Sequence, residues 1–329
     1  MNKFYLEPVT DDSSWDVFVE ASPQGTIFAL SNYLDLSVDH YHRFWIYKGN
    51  QKKAGLSLVT NADGNNCILD DLVIHNGLMF ANDPYQKATK TILERFELTE
   101  FVVEWLVEKY NTIDFALAPQ FQDLRPFLWY NYHSPGTSDR FNIGLKYTSY
   151  LSIASLSFVD DEQKTALFRE LETLRQRNIR EARKHGARSE QIGDVGMFLQ
   201  YYGSLMHRQG DPPDDNKLKH IERLISGLIN EGKAAIWLSM NGHDEPLYAI
   251  VFVWDSKRAY YLFGAPSTQA EARYQGTIAF WDAFRALAKD GIKEVDMEGV
   301  NSPSRGWFKL SFGGNLLPYY QISLGRNGY

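Results

Sequence analysis

Hydrophobic positions along the chain follow two periods that alternate. "RFWIYKG", "AGLSLVT" and "CILDDLVIHNGLMFA" carry the short apolar runs of strands. They are separated by "GNQKK" and "NADGNN", whose Gly and Asn tolerate the positive φ of tight turns. From Lys87 to Tyr110 the spacing becomes helical, with Ile92, Phe96, Phe101, Val102, Trp105 and Leu106 as its apolar positions. "TIDFALA" then reads as a buried strand, "QDLRPFLWYNY" as a short helix and "FNIGLKYTSYLSI" as a strand.

The second half runs through the same order. "AAIWLSMNG" and "EPLYAIVFVWD" pair around "NGHDE", and "AYYLFGA" follows. "RYQGTIAFWDAFRALAKDG" is a helix closed by an Asp-Gly stop. "KEVDMEG" is a strand, "SPSRGWFKLSF" a short helix and "LLPYYQISL" a final strand. The stretch from Phe115 to Leu145 and that from Met297 to Leu324 are nearly equal in length and carry the same elements. Two copies of one α+β unit are the simplest account.

Between the copies, "DDEQKTALFRELETLRQRNIREARKHG" predicts a helix. Asp160 or Asp161 would be its N-cap, and basic residues and Gly186 its end. Leu167, Leu171, Leu174 and Ala182 make its inward stripe, and Arg177, Arg180, Lys184 and Arg188 a separate cationic one.

Composition narrows the function classes. With 329 residues, 44% of them hydrophobic, the chain can bury two cores of roughly 150 residues each. One cysteine, Cys67, excludes an internal disulfide and a Cys-based zinc cluster, and fits a reducing compartment. The opening residues lack the pattern of a signal peptide and no run reaches the ~20 apolar residues of a membrane span, so a cytoplasmic protein is expected. A net charge of -7 argues against DNA coating. Yet Arg175 to Arg188 holds six Lys/Arg and one acid, Glu181. Neither HExxH, a nucleophile elbow nor a Walker loop is present, which points away from metal and nucleoside-triphosphate chemistry.

Taken in order, "TLRQRNIREARKHG", "MHRQGDPP", "AFWDAFRALAKDGIKEVDMEGV" and "GWFKLSFGGNLLPYY" resemble the Fem-type aminoacyltransferases of peptidoglycan bridges and their polysaccharide and cell-envelope relatives within the GNAT superfamily. The resemblance covers most of the chain and is best from about residue 165 onward. It implies an α+β fold of two tandem GNAT-like domains, residues 1–155 and 156–329, the second opening on the basic helix. It also implies transfer of an acyl or aminoacyl group onto an amine of a sugar or cell-envelope precursor. Acyl-CoA or aminoacyl-tRNA would be the donor, with no tightly bound cofactor. The alternatives are a tRNA-dependent bridge transferase, or a degenerate GNAT duplication that binds a glycan precursor or a partner protein. "RYQGTI" matches the pyrophosphate loop of acetyl-CoA users at Arg273 and Gly276, while Ile278 stands where that loop has a small residue and is expected to crowd a phosphate. No long antiparallel helical arm is visible, which makes tRNA the less favoured donor.

The same resemblance puts Lys309 at the acyl-transfer site beside Phe308, its ammonium placed to stabilise a developing oxyanion. A solvated lysine at a helix end is the bland reading. Arg177, Arg180 and Lys184 suit a phosphate-bearing ligand, or simply balance the acidic start of their segment. Arg208, in the loop "HRQGDPPDD", is an acceptor contact or part of a Pro-stiffened turn. Asp296 and Glu298 alternate along "VDMEG" and are expected to share a face. One is a proton acceptor for an attacking amine, a helix cap or a partner of Lys309. Tyr320, on the closing strand, is a further substrate-contact candidate.

Overall fold

The computed structural model describes residues 4–134, 139–157, 159, 161–269 and 271–325. They form two compact units, one of residues through Lys146 together with those from Pro318, the other Tyr147–Leu317.

The first unit contains β1 (Phe4–Pro8), α1 (Asp12–Ala21), α2 (Ser31–Ser37), β2 (Tyr41–Lys48), β3 (Gln51–Val59), β4 (Gly77–Phe80), α3 (Ala88–Lys109), β5 (Thr112–Ala116) and α4 (Arg125–Trp129). Strands β1 to β4 pair in chain order, all antiparallel. On α3, Leu98, Val102 and Leu106 recur every four residues and pack with Ile46, Leu56 and Phe115 in this unit's core. Of the strand expected over "CILDDLVIHNGLMFA", only Gly77–Phe80 pairs as a strand, because the Asp70 carboxylate accepts from the Leu72 N–H and turns the chain.

β6 (Asn142–Ser152) crosses into the second unit, which continues with α5 (Ala166–Glu170), α6 (Thr173–Lys184), β7 (Arg188–Ile192), α7 (Val195–Gln209), α8 (Asp215–Asn230), β8 (Ala234–Met240), β9 (Pro246–Trp254), β10 (Ala259–Pro266), α9 (Gln275–Lys289), β11 (Glu294–Asp296) and α10 (Pro303–Leu310). Its strands run in the order β6-β11-β10-β9-β8-β7. The pairing is antiparallel except between β10 and β11, which are parallel and joined through α9 as a crossover. Ile278, Trp281, Phe284 and Leu287 of α9 are fully buried and anchor the core. The last strand, β12 (Asn315–Gly325), returns to the first unit, where Gln321 to Gly325 pair antiparallel with β5.

The single helix expected before Gly186 is three pieces. Asp160 lies outside the described residues, and Asp161 caps a 3₁₀ turn, Glu162–Lys164, by accepting from the Gln163 N–H. The Thr165 side chain then caps α5. At Leu171 the backbone becomes extended, and the Glu172 N–H donates to the Ser311 carbonyl at 3.0 Å. With that break α6 takes its own phase: Arg175, Asn178, Ile179 and Ala182 face inward, while Leu174, expected inside, is 45% exposed. Gly186 closes α6 with φ +68, as its position predicts. Arg188 leaves the expected stripe, lying in β7 and pairing with Glu190 and Asp244. Among the described residues no helix is long and apolar enough to cross a membrane.

Candidate active site

β11 ends at Asp296, and the chain then folds back on β6. The Met297 N–H donates to the Ser149 carbonyl and the Val300 N–H to that of Tyr147. The Asn301 side chain brackets Tyr147, accepting from its N–H at 2.8 Å and donating to its carbonyl at 3.1 Å. Glu298 sits in this turn with φ +55, a left-handed conformation rare for a glutamate. It is therefore off the strand, and proximity to Asp296 comes from the turn rather than from alternation along one face. α10 follows with Pro303 in its first turn. A Cβ on Gly306 would lie 2.4 Å from the Val300 carbonyl oxygen, so only glycine lets α10 press onto the turn.

Lys309, one turn later, reaches back across the same loop. Its Nζ donates to the Gly299 carbonyl at 3.1 Å and lies 4.9 Å from the centre of the Tyr261 ring. Asp296 is wholly buried: Oδ1 accepts from the Thr148 hydroxyl and, at 2.9 Å, from the Glu298 N–H, whereas Oδ2 has no hydrogen-bond partner. Neither carboxylate oxygen of Glu298, also buried, has one. Structures rarely leave three such oxygens unsatisfied in one cluster.

The electrostatics follow from burial. Desolvation pushes the Asp296 carboxyl up to about 6 against the pull of Thr148, the Glu298 N–H, Arg258 and Lys309. Burial and the neighbouring Asp296 push Glu298 well above the carboxylate range. Burial lowers Lys309 to about 8, although Glu298 and Asp296 favour its charge. At neutral pH Asp296 is thus largely anionic and Lys309 largely an ammonium, while burial beside Asp296 favours the neutral form of Glu298. Arg258, which supplies part of the field, is held by Glu294 and the Tyr150 hydroxyl, both at 2.9 Å.

A second wall comes from β9, β10 and the start of α9. The Tyr248 and Tyr261 hydroxyls are hydrogen-bonded to each other. Gly264 makes room for them, since a Cβ there would come within 2.4 Å of the Tyr261 hydroxyl. Gly276 lies in the first turn of α9, where a Cβ would meet the Phe308 ring at 3.5 Å and Tyr248 at 3.9 Å. As first-turn groups, the Gly276 and Thr277 amides have no intrahelical acceptor. Arg175 lies over the Phe308 ring at 4.9 Å and donates to the Thr277 hydroxyl at 2.6 Å.

Lys309, Asp296 and Glu298 therefore meet, as do Phe308 and Gly276. Arg273 is exposed just before α9, its carbonyl accepting from Asn178. Ile278 corrects an expectation: it is fully buried in the core and cannot crowd the mouth of the loop. Arg177, Arg180 and Lys184 are exposed along α6, with Arg180 donating to Gln163 at 3.2 Å, and Arg208 is exposed in the last turn of α7. None of these four is among the charges acting on Lys309, which are Glu298, Asp296 and Arg305. Tyr320 belongs to the first unit and packs against that core. Sequence reasoning missed Thr148, Tyr248, Tyr261, Arg175 and Arg258. The signals available were Gly264 inside a strand and Gly306 inside a helix, since isolated glycines in such places mark close approaches.

Residues 173–305, from α6 into α10, match the family model of the acetyltransferase (GNAT) domain. No curated protein matches the chain. Among solved structures it is similar to FemX, with 14% identity, 96% of each chain covered and a TM-score of 0.60. It is also similar to the C-terminal domain of a putative lysylphosphatidylglycerol synthetase from Agrobacterium fabrum, with 12% identity, 96% of this chain and 92% of that one covered and a TM-score of 0.55. A tandem GNAT protein from the clavulanic acid biosynthesis pathway shares 9% identity, with 99% and 100% covered and a TM-score of 0.53. Residues 173–305 of the second unit thus match a GNAT acetyltransferase domain, and the chain as a whole shares the fold of FemX and of the tandem GNAT protein.

Proposed function

We propose that the chain moves an acyl or aminoacyl group from an activated thioester or ester onto an amine of a sugar or cell-envelope precursor, with Lys309, Asp296 and Glu298 as the catalytic residues. The observation that carries this is the buried ammonium set against two carboxyls with unsatisfied oxygens, the carboxyls inside the matched GNAT domain and Lys309 just past its end. The amine nitrogen attacks the donor carbonyl, and the bond to sulfur or oxygen breaks as the tetrahedral intermediate collapses. Lys309 has N–H groups beyond the one given to Gly299, and these stabilise the oxyanion. Asp296, ionised above about pH 6 with Glu298 beside it, accepts the proton lost by the amine.

The first-turn amides of α9, with Gly276 leaving the backbone open, support acyl-CoA as the donor, and Arg273, exposed just before that helix, is proposed as a contact for its phosphates. Aminoacyl-tRNA is the competing donor, as the sequence resemblance to Fem-type transferases implies. Phe308, Arg177, Arg180, Lys184 and Arg208 are proposed as substrate contacts, the cations for a phosphate-bearing acceptor. The test is a transfer assay of radiolabelled acetyl-CoA and of aminoacyl-tRNA against amino sugars and nucleotide-linked amino sugars. Label on the acceptor amine that disappears in Lys309→Met is expected. Absence of transfer from either donor, with a glycan alone raising the melting temperature, would make the chain a binding protein instead.

A further inference from the structure

In the first unit a cavity of about 380 Å³ opens between the start of β3, the residues after β4 and the first turns of α3. Lys52, Lys53, Asn82, Gln86, Glu94 and Arg95 line it, with Phe80 as its floor. The charges do not cancel. Glu94 is buried, yet Lys48, Gln86 and Lys53 outweigh the desolvation and hold it down at about 2. It is a carboxylate already matched by two lysines. Asp83 is exposed, and its carboxylate accepts from the Tyr85 N–H. Lys52 lies 3.3 Å from the centre of the Trp45 ring.

Arg95 is left over. Its guanidinium lies over the Phe80 ring at 4.8 Å, burial lowers its pKa, and among the described residues no acceptor or carboxylate pairs with it. A guanidinium is retained in a partly desolvated place without a counter-ion only at a cost in stability. A flat aromatic behind it and an open cavity before it leave its fork of N–H groups facing the space.

We propose that this cavity binds a small molecule through a phosphate group, with Arg95 as the main contact and Lys53 and the Asn82 amide as further donors. The volume is at the lower end for organic ligands and exceeds that of a bare ion. Donors arriving from three chain segments suit a tetrahedral oxyanion better than a planar carboxylate. The site uses none of the groups assigned to acyl transfer and stands whether or not that assignment holds.

The test is thermal shift and calorimetric titration of the full chain with inorganic phosphate, with acetate at matched ionic strength as the second arm. A saturable rise in melting temperature with phosphate is expected, together with about tenfold or greater weakening in Arg95→Gln, since one charge-assisted contact carries roughly that factor. Arg95→Lys is expected between the two, and Arg188→Gln, on β7 and away from both sites, should bind like the parent. The unliganded melting temperature of Arg95→Gln should be no lower than the parent's, because the change removes an unmatched charge. Any of four results would overturn the assignment: no saturable effect, an undiminished effect in Arg95→Gln, a larger response to acetate, or an unliganded Arg95→Gln that melts earlier.

Discussion

The two units answer the same position in their common frame in opposite ways. β5 carries Asp114 and β11 carries Asp296, each on the strand that follows the unit's long helix. Two residues on stand Ala116 and Glu298; thirteen residues on stand Phe127 and Lys309. Ala116 is buried, and Phe127 is buried among Phe115, Phe121 and Phe141, with ring centres 5.4 to 6.4 Å from its own. Hydrocarbon is what a core prefers here, and the first unit supplies it. In the second unit the corresponding places hold a carboxyl and an ammonium, which burial destabilises. Charge kept in such a place against that cost is what supports the proposed site.

The difference can be tested by making each unit resemble the other. Asp296→Asn should lower kcat by about 10²–10⁴, the range for loss of a general acid–base group, in a transfer assay. A loss below about fivefold would remove Asp296 from the proton path. Lys309→Met should lower kcat by about 10²–10³, the effect of one missing oxyanion donor, with KM little changed. Phe127→Lys, the reverse change, should destabilise the fold in urea by at least the about 3–5 kcal/mol of truncating a buried Phe, because the ammonium finds no carboxylates there.

Smaller effects lie in the pH dependence. Transfer should rise as Asp296 ionises near pH 6 and fall as Lys309 loses its proton near pH 8, a bell that Lys309→Met should strip of its alkaline limb. For stability, both carboxyls have folded pKa values above their unfolded ones, so the native state binds more protons. Their contribution is present at acid pH and is lost as pH rises through about 6 for Asp296, and higher for Glu298. Glu298→Gln should therefore melt no earlier than the parent at pH 8. An earlier melt would mean the glutamate is held for structure.

Most elements could be read from periodicity because their buried faces are local in sequence: α3, α9 and the β8 to β10 meander are examples. The break at Leu171 could not, since it is fixed by the carbonyl of Ser311, which no local pattern reveals. The same holds within the site. Lys309, Asp296 and Glu298 are near enough in the chain to be suspected together, whereas Thr148, Arg258 and Tyr261 join them only through strand pairing and packing. The Glu298 turn defeated the alternation argument because a left-handed glutamate has no signature in sequence.

The return of β12 to the first unit has a consequence for biosynthesis. Ile322 and Leu324 complete the core around β5, yet they follow the roughly 170 residues of the second unit. At about 5–20 residues per second, β5 waits on the order of 10–35 s on the ribosome for that strand. During that interval its edge and the apolar surface beneath it are open to other chains. A nascent chain arrested before Pro318 should therefore be the species that a chaperone or a protease recognises, while one released after Gly325 should escape both.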